Sequence, residues 1–262
     1  MTADRNIDPK NTMRLGILGG GRAAWAFGSA WGRIGWPITG VWLRKESTSR
    51  LPELLRAPRR PIGELAAESE LLLVAVSDRA IAEVVAQVPK TDAIVAHASG
   101  AQPAPADGFA LHPLKALPPV GVPSDLENTL LVFQGEHRKT AKLIATAVGA
   151  RFAEVTADQK PLYHAAAVFG ANYVAAVLDI AEELMRRAGV TGTREDLTAL
   201  ARSAIQNWSL HSDRSRFTGP AARGDQETVR RHLQALANDT QVAELYKLLA
   251  EWITARSLAT PK

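Results

Sequence analysis

"GILGGGRAAW", residues 16–25, decides how the rest of the chain is read. It begins inside an apolar run, "MRLGIL" (13–18), and opens into a helix-like stretch, "RAAWAFGSAWGRI" (22–34). Gly19-x-Gly21-x-x-Ala24 has the spacing of a dinucleotide-binding turn, with alanine in the third place. The first glycine permits a tight turn, the second lets backbone amides approach a pyrophosphate, and the small third residue lets helix pack on strand. Gly20, Arg22 and Ala23 complete the loop. The helix behind it offers free N–H groups and a positive dipole end to phosphate. The plain alternative is a glycine-rich turn packed tightly for structural reasons alone. A P-loop is excluded, since no Gly-Lys-Ser/Thr follows.

Working outward, "ITGVWL" (38–43), "LLLVAV" (71–76) and "AIVAHA" (93–98) are further continuous apolar runs. Unbroken runs suit parallel strands covered on both faces. Helical patterns such as 78–88 lie between them, and "LLVFQG" (130–135), a helix over 138–148 and an edge strand "RFAEV" (151–155) follow. This alternation predicts an α/β fold, a Rossmann-type doubly wound and mostly parallel sheet. After about residue 156 strand patterns vanish, and helices are expected over 158–188, 194–210, 226–238 and 240–258. The expected organisation is a flexible polar arm (1–12), a nucleotide-binding domain (13–155) and an all-α domain (156–262).

A strand ending in Asp or Glu would hold the ribose hydroxyls of NAD. Here "VWLRKESTS" places Arg44 and Lys45 at that spot, with Ser47 and Thr48 nearby. Cations beside hydroxyls suit the 2′-phosphate of NADP. Glu46 leaves the NAD reading open, should the register slip. Ser77 and Asp78 end the next long strand. Ligands of such sheets bind beyond the carboxyl ends of the strands, so both are expected to face the cofactor. Ser77 can also cap the following helix, and Asp78 can simply supply charge at a helix start.

Composition narrows the classes. The chain has 262 residues, no cysteine and a net charge of +4. Disulfides, thiolate metal sites and cysteine catalysis are therefore excluded. No apolar run approaches the roughly 20 residues of a membrane span, and the start lacks a signal peptide's apolar core. A cytoplasmic protein is expected. The basic clusters "RAPRR" (56–60), "MRR" (185–187) and "VRR" (229–231) lack interleaved aromatics, which argues against nucleic acid and for anionic small molecules. Six histidines without a tight pair give no metal site. His97, in an apolar strand, reads as a satisfied core residue, and most of the six tryptophans read as core.

Four more segments carry a resemblance: "HASGA" (97–101), "LHPLKAL" (111–117), "LYHAAAVFGANY" (162–173) and "FTGPAARGDQETVRRHL" (217–233). With the glycine loop, they resemble a group of largely uncharacterised oxidoreductases. These join a Rossmann-like domain to a helical C-terminal domain of unknown function, similar to the 6-phosphogluconate dehydrogenase C-terminal domain. The wider superfamily includes pyrroline-5-carboxylate reductase, prephenate dehydrogenase and ketopantoate reductase. The resemblance implies NADP-dependent reduction of a small C=O or C=N compound at an interdomain cleft, and pairing of two chains through the helical half. It places His112 beside nicotinamide and substrate, Ser99 and Gly100 on the nicotinamide side, and Thr218, Arg223 and Asp225 in the signature loop of the helical domain. The Lys-x-x-x-Asn motif of several β-hydroxyacid dehydrogenases is absent, since Lys160 and Asn172 are twelve apart.

Reduction of a carbonyl needs a hydride, a proton donor and a group that polarises the oxygen. On one continuous helix Lys160, His164 and Asn172 share a drifting polar stripe, with His164 and Asn172 about 12 Å apart along the axis. His164 is then a candidate acid, Asn172 a polarising donor, Lys160 either of these or an anchor for an acid group, and Arg223 a carboxylate clamp. Against these stand two bland alternatives: core hydrogen-bonders for the stripe, and a mutual ion pair for Arg223 and Asp225. A ketopantoate-like ketoacid is the expected substrate, a cyclic imine the runner-up. A non-catalytic NADP-binding sensor is the reading from another class; it would not require His112, Lys160, His164 and Asn172 to converge. The long apolar helix 158–188 needs covering, so a homodimer is expected.

Overall fold

The structure, a computed structural model, describes residues 12–192, 194–212 and 216–258. The expected arm, 1–12, lies almost wholly outside the described residues. The chain forms two compact units, 1–171 and 172–262.

The first unit is a seven-stranded sheet ordered β2-β1-β3-β4-β5-β6-β7. Its strands are β1 (Leu15–Leu18), β2 (Ile38–Trp42), β3 (Leu71–Val74), β4 (Ile94–His97), β5 (Phe109–Pro113), β6 (Leu130–Gly135) and β7 (Arg151–Glu154). All neighbours are parallel except β5 and β6, which run antiparallel. The helices are α1 (Arg22–Arg33), α2 (Leu51–Leu55), α3 (Ile62–Glu68), α4 (Ile81–Ala86), α5 (Arg138–Ala147) and α6 (Lys160–Gly170).

Both faces of the sheet are covered, as the continuous apolar runs require. Successive strand residues point to opposite faces. Leu15, Ile17, Leu71 and Leu73 accordingly join a core with Trp25, Phe27 and Trp31 of α1 and Ile144 of α5. Leu18, Leu72 and Val74 join a second core with Ile62 and Leu65 of α3 and Ile81 and Val84 of α4. Burying a large apolar side chain contributes about 1.5–3 kcal/mol, so these two layers hold the strand ends that carry the site.

Three elements differ from expectation. The helix expected over 78–88 begins as a 3-10 turn, Asp78–Ala80, before α4. The strand β5 was not foreseen: "FALHP" is short, follows the turn-rich "PAPADG" and ends in proline. The helix expected over 158–188 is broken at Ala171 (φ −129°, ψ −69°), and α7 (Asn172–Arg187) begins beyond it. The single polar stripe therefore ends at Ala171.

The second unit contains α7, α8 (Arg194–Leu210), α9 (Pro220–Arg223), α10 (Gln226–Ala235) and α11 (Thr240–Leu258). It leaves Leu200, Ile205, Trp208, Leu210 and Trp252 exposed, so two of the six tryptophans lie outside any core. The run Lys160–Arg187 has a mean hydropathy of 1.4 over its most apolar stretch, none of it buried. By length and composition alone it is apolar enough to cross a membrane, because a helix averages over its interspersed polar residues. The expectation that no apolar run approaches a membrane span in length is corrected for this segment.

Candidate active site

The glycine turn has the form its spacing implies. Gly19 sits at φ +126°, where a Cβ would drive into the Ala75 carbonyl oxygen and lie 2.8 Å from its carbon. A Cβ on Gly20 would lie 2.6 Å from Ser49. Gly21 differs: a Cβ there would meet only the Ala75 oxygen, at 3.4 Å. Packing within the protein thus demands the first two glycines, whereas the third keeps backbone accessible. Gly21 is also the N-cap of α1, with no side-chain capping bond, so the first-turn N–H groups are left for an anion. A pyrophosphate fits this cradle and would be held there by the backbone of Gly19, Gly20, Gly21, Arg22 and Ala23.

The loop after β2 is tied to the turn. Ser49 Oγ donates to the Gly20 carbonyl at 3.1 Å and accepts from the Trp25 indole N–H at 3.2 Å. Arg44 and Lys45 are exposed on this loop, and Arg44 faces Glu83 across 3.8 Å. Ser77 and Asp78 lie exposed after β3, and Ser77 makes no capping bond.

A second constellation forms around Gly100. The His97 ring is fully buried; its Nδ1 accepts the Ser99 N–H at 3.1 Å, which leaves Nε2–H to donate to the Pro103 carbonyl at 2.8 Å. Burial is the main force lowering its pKa, so the ring stays neutral and braces the turn beneath it. Ser99 Oγ accepts the N–H groups of Ala101 and Gln102 at 3.1 and 3.0 Å, which fixes the same turn. Gly100 then meets two imidazoles: a Cβ there would lie 2.5 Å from His164 Cδ2 and 3.1 Å from His112 ring carbons.

His112 comes from β5, while Lys160, Tyr163 and His164 come from the first turns of α6. A reciprocal pair of bonds fixes the turn that leads into that helix: Thr156 N–H donates to Gln159 Oε1 at 3.0 Å, and Gln159 N–H to Thr156 Oγ1 at 3.3 Å. His112 Nδ1 and Tyr163 Oη share a hydrogen bond of 2.5 Å, with the rings edge to face at 5.7 Å. The His112 and His164 rings are 5.8 Å apart, also edge to face. Burial, aided by the charges of His164 and Lys160 and opposed by Asp78, lowers His112 to about 4. Burial raises the Tyr163 phenol to about 12. Lys160 is 4% exposed, and among the described residues its Nζ reaches only Gln134 Oε1, at 3.5 Å, an atom already held by the Ala104 N–H at 2.8 Å. Burial lowers this ammonium to about 8, with Asp78 opposing.

The sheet unit therefore brings together His112, Lys160, His164, Ser99 and Gly100, and Asp78 acts on His112 and Lys160 through its charge. Tyr163 is the participant that sequence reasoning missed. It lies within the quoted "LYHAAAVFGANY", but only the unforeseen strand β5 shows what it faces. Asn172, Thr218, Arg223 and Asp225 belong to the second unit. There Asp225 caps α10, accepting the Thr228 N–H at 3.0 Å; that bond is the first cause of its lowered pKa. Among the described residues no ion pair within 4.0 Å joins Arg223 to Asp225, although the charge of Arg223 adds to the lowering of the carboxyl's pKa.

Comparison with known proteins agrees with this two-part plan. Residues 2–114 match a Rossmann-like domain, and residues 132–253 match a domain of unknown function (DUF2520). No curated protein matches the sequence. Among solved structures, a provisionally assigned NADP oxidoreductase from Bacteroides fragilis is 22% identical, with TM-score 0.79, covering 94% of this chain and 99% of that one. A reductive aminase from Aspergillus terreus, in complex with NADPH4, cyclohexanone and allyl amine, is 17% identical, with TM-score 0.62 and coverage of 90% and 88%. Prephenate dehydrogenase from A. aeolicus, with hydroxyphenyl propionate and NAD+, is 16% identical, with TM-score 0.54 and coverage of 94% and 97%. The chain thus joins a segment similar to a Rossmann-like domain to a segment similar to a DUF2520 domain.

Proposed function

We propose that the chain is an NADP(H)-dependent reductase of a small C=O or C=N compound. The observation that carries the reading is Lys160: a lysine buried with a single long hydrogen bond among the described residues, in one unit with the glycine cradle and beside a histidine–tyrosine couple. A sensor has no use for such a cation, whose burial costs stability. NADPH, when bound, supplies the hydride.

The chain's own groups divide the remaining work. His112 and Tyr163 share one proton between Nδ1 and Oη. If Tyr163 donates it, His112 Nε2–H is left to point outward; if His112 donates it, the phenol O–H is left. Either way one neutral donor remains to polarise a substrate oxygen or nitrogen. With values of about 4 and 12, neither group ionises near neutral pH. Lys160, at about 8, releases a proton within the physiological range and suits the acid role. Arg44 and Lys45 hold the 2′-phosphate. His164 stands beside this couple; of the second unit's candidates, Asn172, Thr218 and Arg223 are reserved for a substrate, with Arg223 the carboxylate clamp that favours a ketopantoate-like acid, while Asp225 caps α10. The reductive aminase neighbour favours a C=N substrate as the second reading. The test is a screen of 2-ketoacids and cyclic imines with NADPH, followed by absorbance loss. Turnover of neither class, with NADPH bound, would support the sensor instead.

His164→Ala and Asn172→Ala are each expected to lower kcat/KM about 10²-fold, the scale of one lost donor to the substrate's developing charge, with unchanged melting temperature and NADPH affinity. Lower melting temperatures with normal turnover would make them structural hydrogen-bonders.

We further propose a homodimer formed mainly through residues after 156. The exposed Leu200, Ile205, Trp208 and Leu210 of α8 support it, because large apolar side chains left in water mark a surface that needs covering. Light scattering at micromolar concentration is expected to give twice the chain mass of 28.2 kDa, and a clean monomer would refute it.

A further inference from the structure

The basic cluster "RAPRR" (56–60) finds separate uses within the fold. Arg56 closes α2 in the left-handed conformation (φ 50°), and Arg60 pairs with Glu68 at 2.5 Å. Arg59 lies beside the end of β2. The Val41 N–H donates to the Pro58 carbonyl at 2.9 Å, and the Arg60 N–H to the Val41 carbonyl at 3.1 Å, so that Val41 and Arg59 form a parallel bridge. From there the Arg59 guanidinium reaches the Ser47 carbonyl, donating through Nη2 at 3.3 Å. Ser47 in turn closes a turn onto Arg44, its N–H donating to the Arg44 carbonyl at 3.0 Å.

We propose that Arg59 is a specificity-determining residue that, with Arg44, clasps the 2′-phosphate of NADP(H). The inference rests on the NADP(H) reading above. A guanidinium carries five donors, and the Ser47 carbonyl is the sole hydrogen-bond partner of this one among the described residues. Those residues also place no acidic side chain in an ion pair with Arg59, whereas Arg44 shares its charge with Glu83 at 3.8 Å. A phosphate dianion is matched better by two forked cations than by one already engaged. The position is also braced: the 44–49 loop is fastened to the pyrophosphate cradle by Ser49 and Gly20.

The test is calorimetric titration of the full chain with NADPH and with NADH, for the parent, Arg59→Gln, Arg59→Lys and Arg44→Gln. Arg59 is exposed, so its replacement leaves the cores intact. Arg59→Gln is expected to weaken NADPH binding about 10-fold or more, the scale of a charge-assisted bond, and to leave NADH binding within about twofold. Arg59→Lys should recover part of the preference. Equal loss for both cofactors would overturn the proposal, leaving Arg59 as a structural clasp on the Ser47 turn. A preference lost in Arg44→Gln but kept in Arg59→Gln would overturn it while sparing the NADP(H) reading. A parent that binds NADH as tightly as NADPH would overturn both.

Discussion

Lys160→Met is expected to lower kcat/KM about 10²- to 10⁴-fold, the range for a lost acid–base group, and to raise the melting temperature at the same time. The two effects have one cause. The ammonium is taken almost wholly out of water for one hydrogen bond of 3.5 Å, so its desolvation is poorly offset. Methionine fills similar space without the charge. The folded value of about 8 lies below the 10.5 of a free lysine. Between those values the unfolded chain holds a proton that the folded chain has released, so stability rises with pH across the window. Below about pH 8 the folded state bears the full cost, up to roughly 3 kcal/mol at about 1.4 kcal/mol per unit. Thermal unfolding of both proteins at pH 7 and pH 10 checks this. The gain in the variant should be large at pH 7 and much smaller at pH 10. In the parent, kcat/KM should fall as pH rises through about 8, where the acid is lost. A variant that melts lower, or turns over normally, would refute the assignment.

Gly19→Ala and Gly21→Ala should behave very differently, although both glycines belong to one motif. At Gly19 the backbone is in a region that side chains avoid, and the methyl would press on the Ala75 carbonyl. NADPH binding should be lost, with a destabilisation of about 2 kcal/mol or more. At Gly21 the methyl meets only one atom, at 3.4 Å, so the fold should be unchanged. NADPH affinity should still fall about 10-fold or more, because the methyl occupies the approach to the α1 N–H groups. Calorimetric titration and urea unfolding of the pair decide between this and a turn that is glycine-rich only for packing, in which Gly21→Ala would bind normally.

The sheet was legible because its signals are local. Continuous apolar runs, glycine spacing and helical periodicity each lie within about a dozen residues, and they located six of the seven strands. The candidate site was legible only in parts. His112, Lys160 and His164 stood out as polar residues in apolar surroundings, but their grouping around Gly100 depends on β5 pairing with a strand about twenty residues later. Tyr163 had no local mark at all, since a tyrosine in an apolar helix reads as packing. Arg59 was hidden in a charge cluster, and only the backbone bridge to Val41 separates it from its neighbours. Asn172 shows the limit of helical arithmetic. That arithmetic joined it to His164, and the break at Ala171, in a stretch with no proline, removes this one argument while leaving its role to the variant proposed above.

The antiparallel pairing of β5 with β6 has a consequence for where the chain travels next. Because β7 follows the direction of β6, it finishes at the opposite border of the sheet from the glycine turn. Had both strands kept the common direction, the chain would have emerged at the nucleotide border already, and a helix starting there would lead away. Instead α6 sets out from below: Lys160 meets Gln134, the partner of Ala110, and the next turn brings Tyr163 to His112, two residues further along β5. One reversal of strand polarity thus converts a departure into an approach, and it delivers the helix to the reacting end of the sheet.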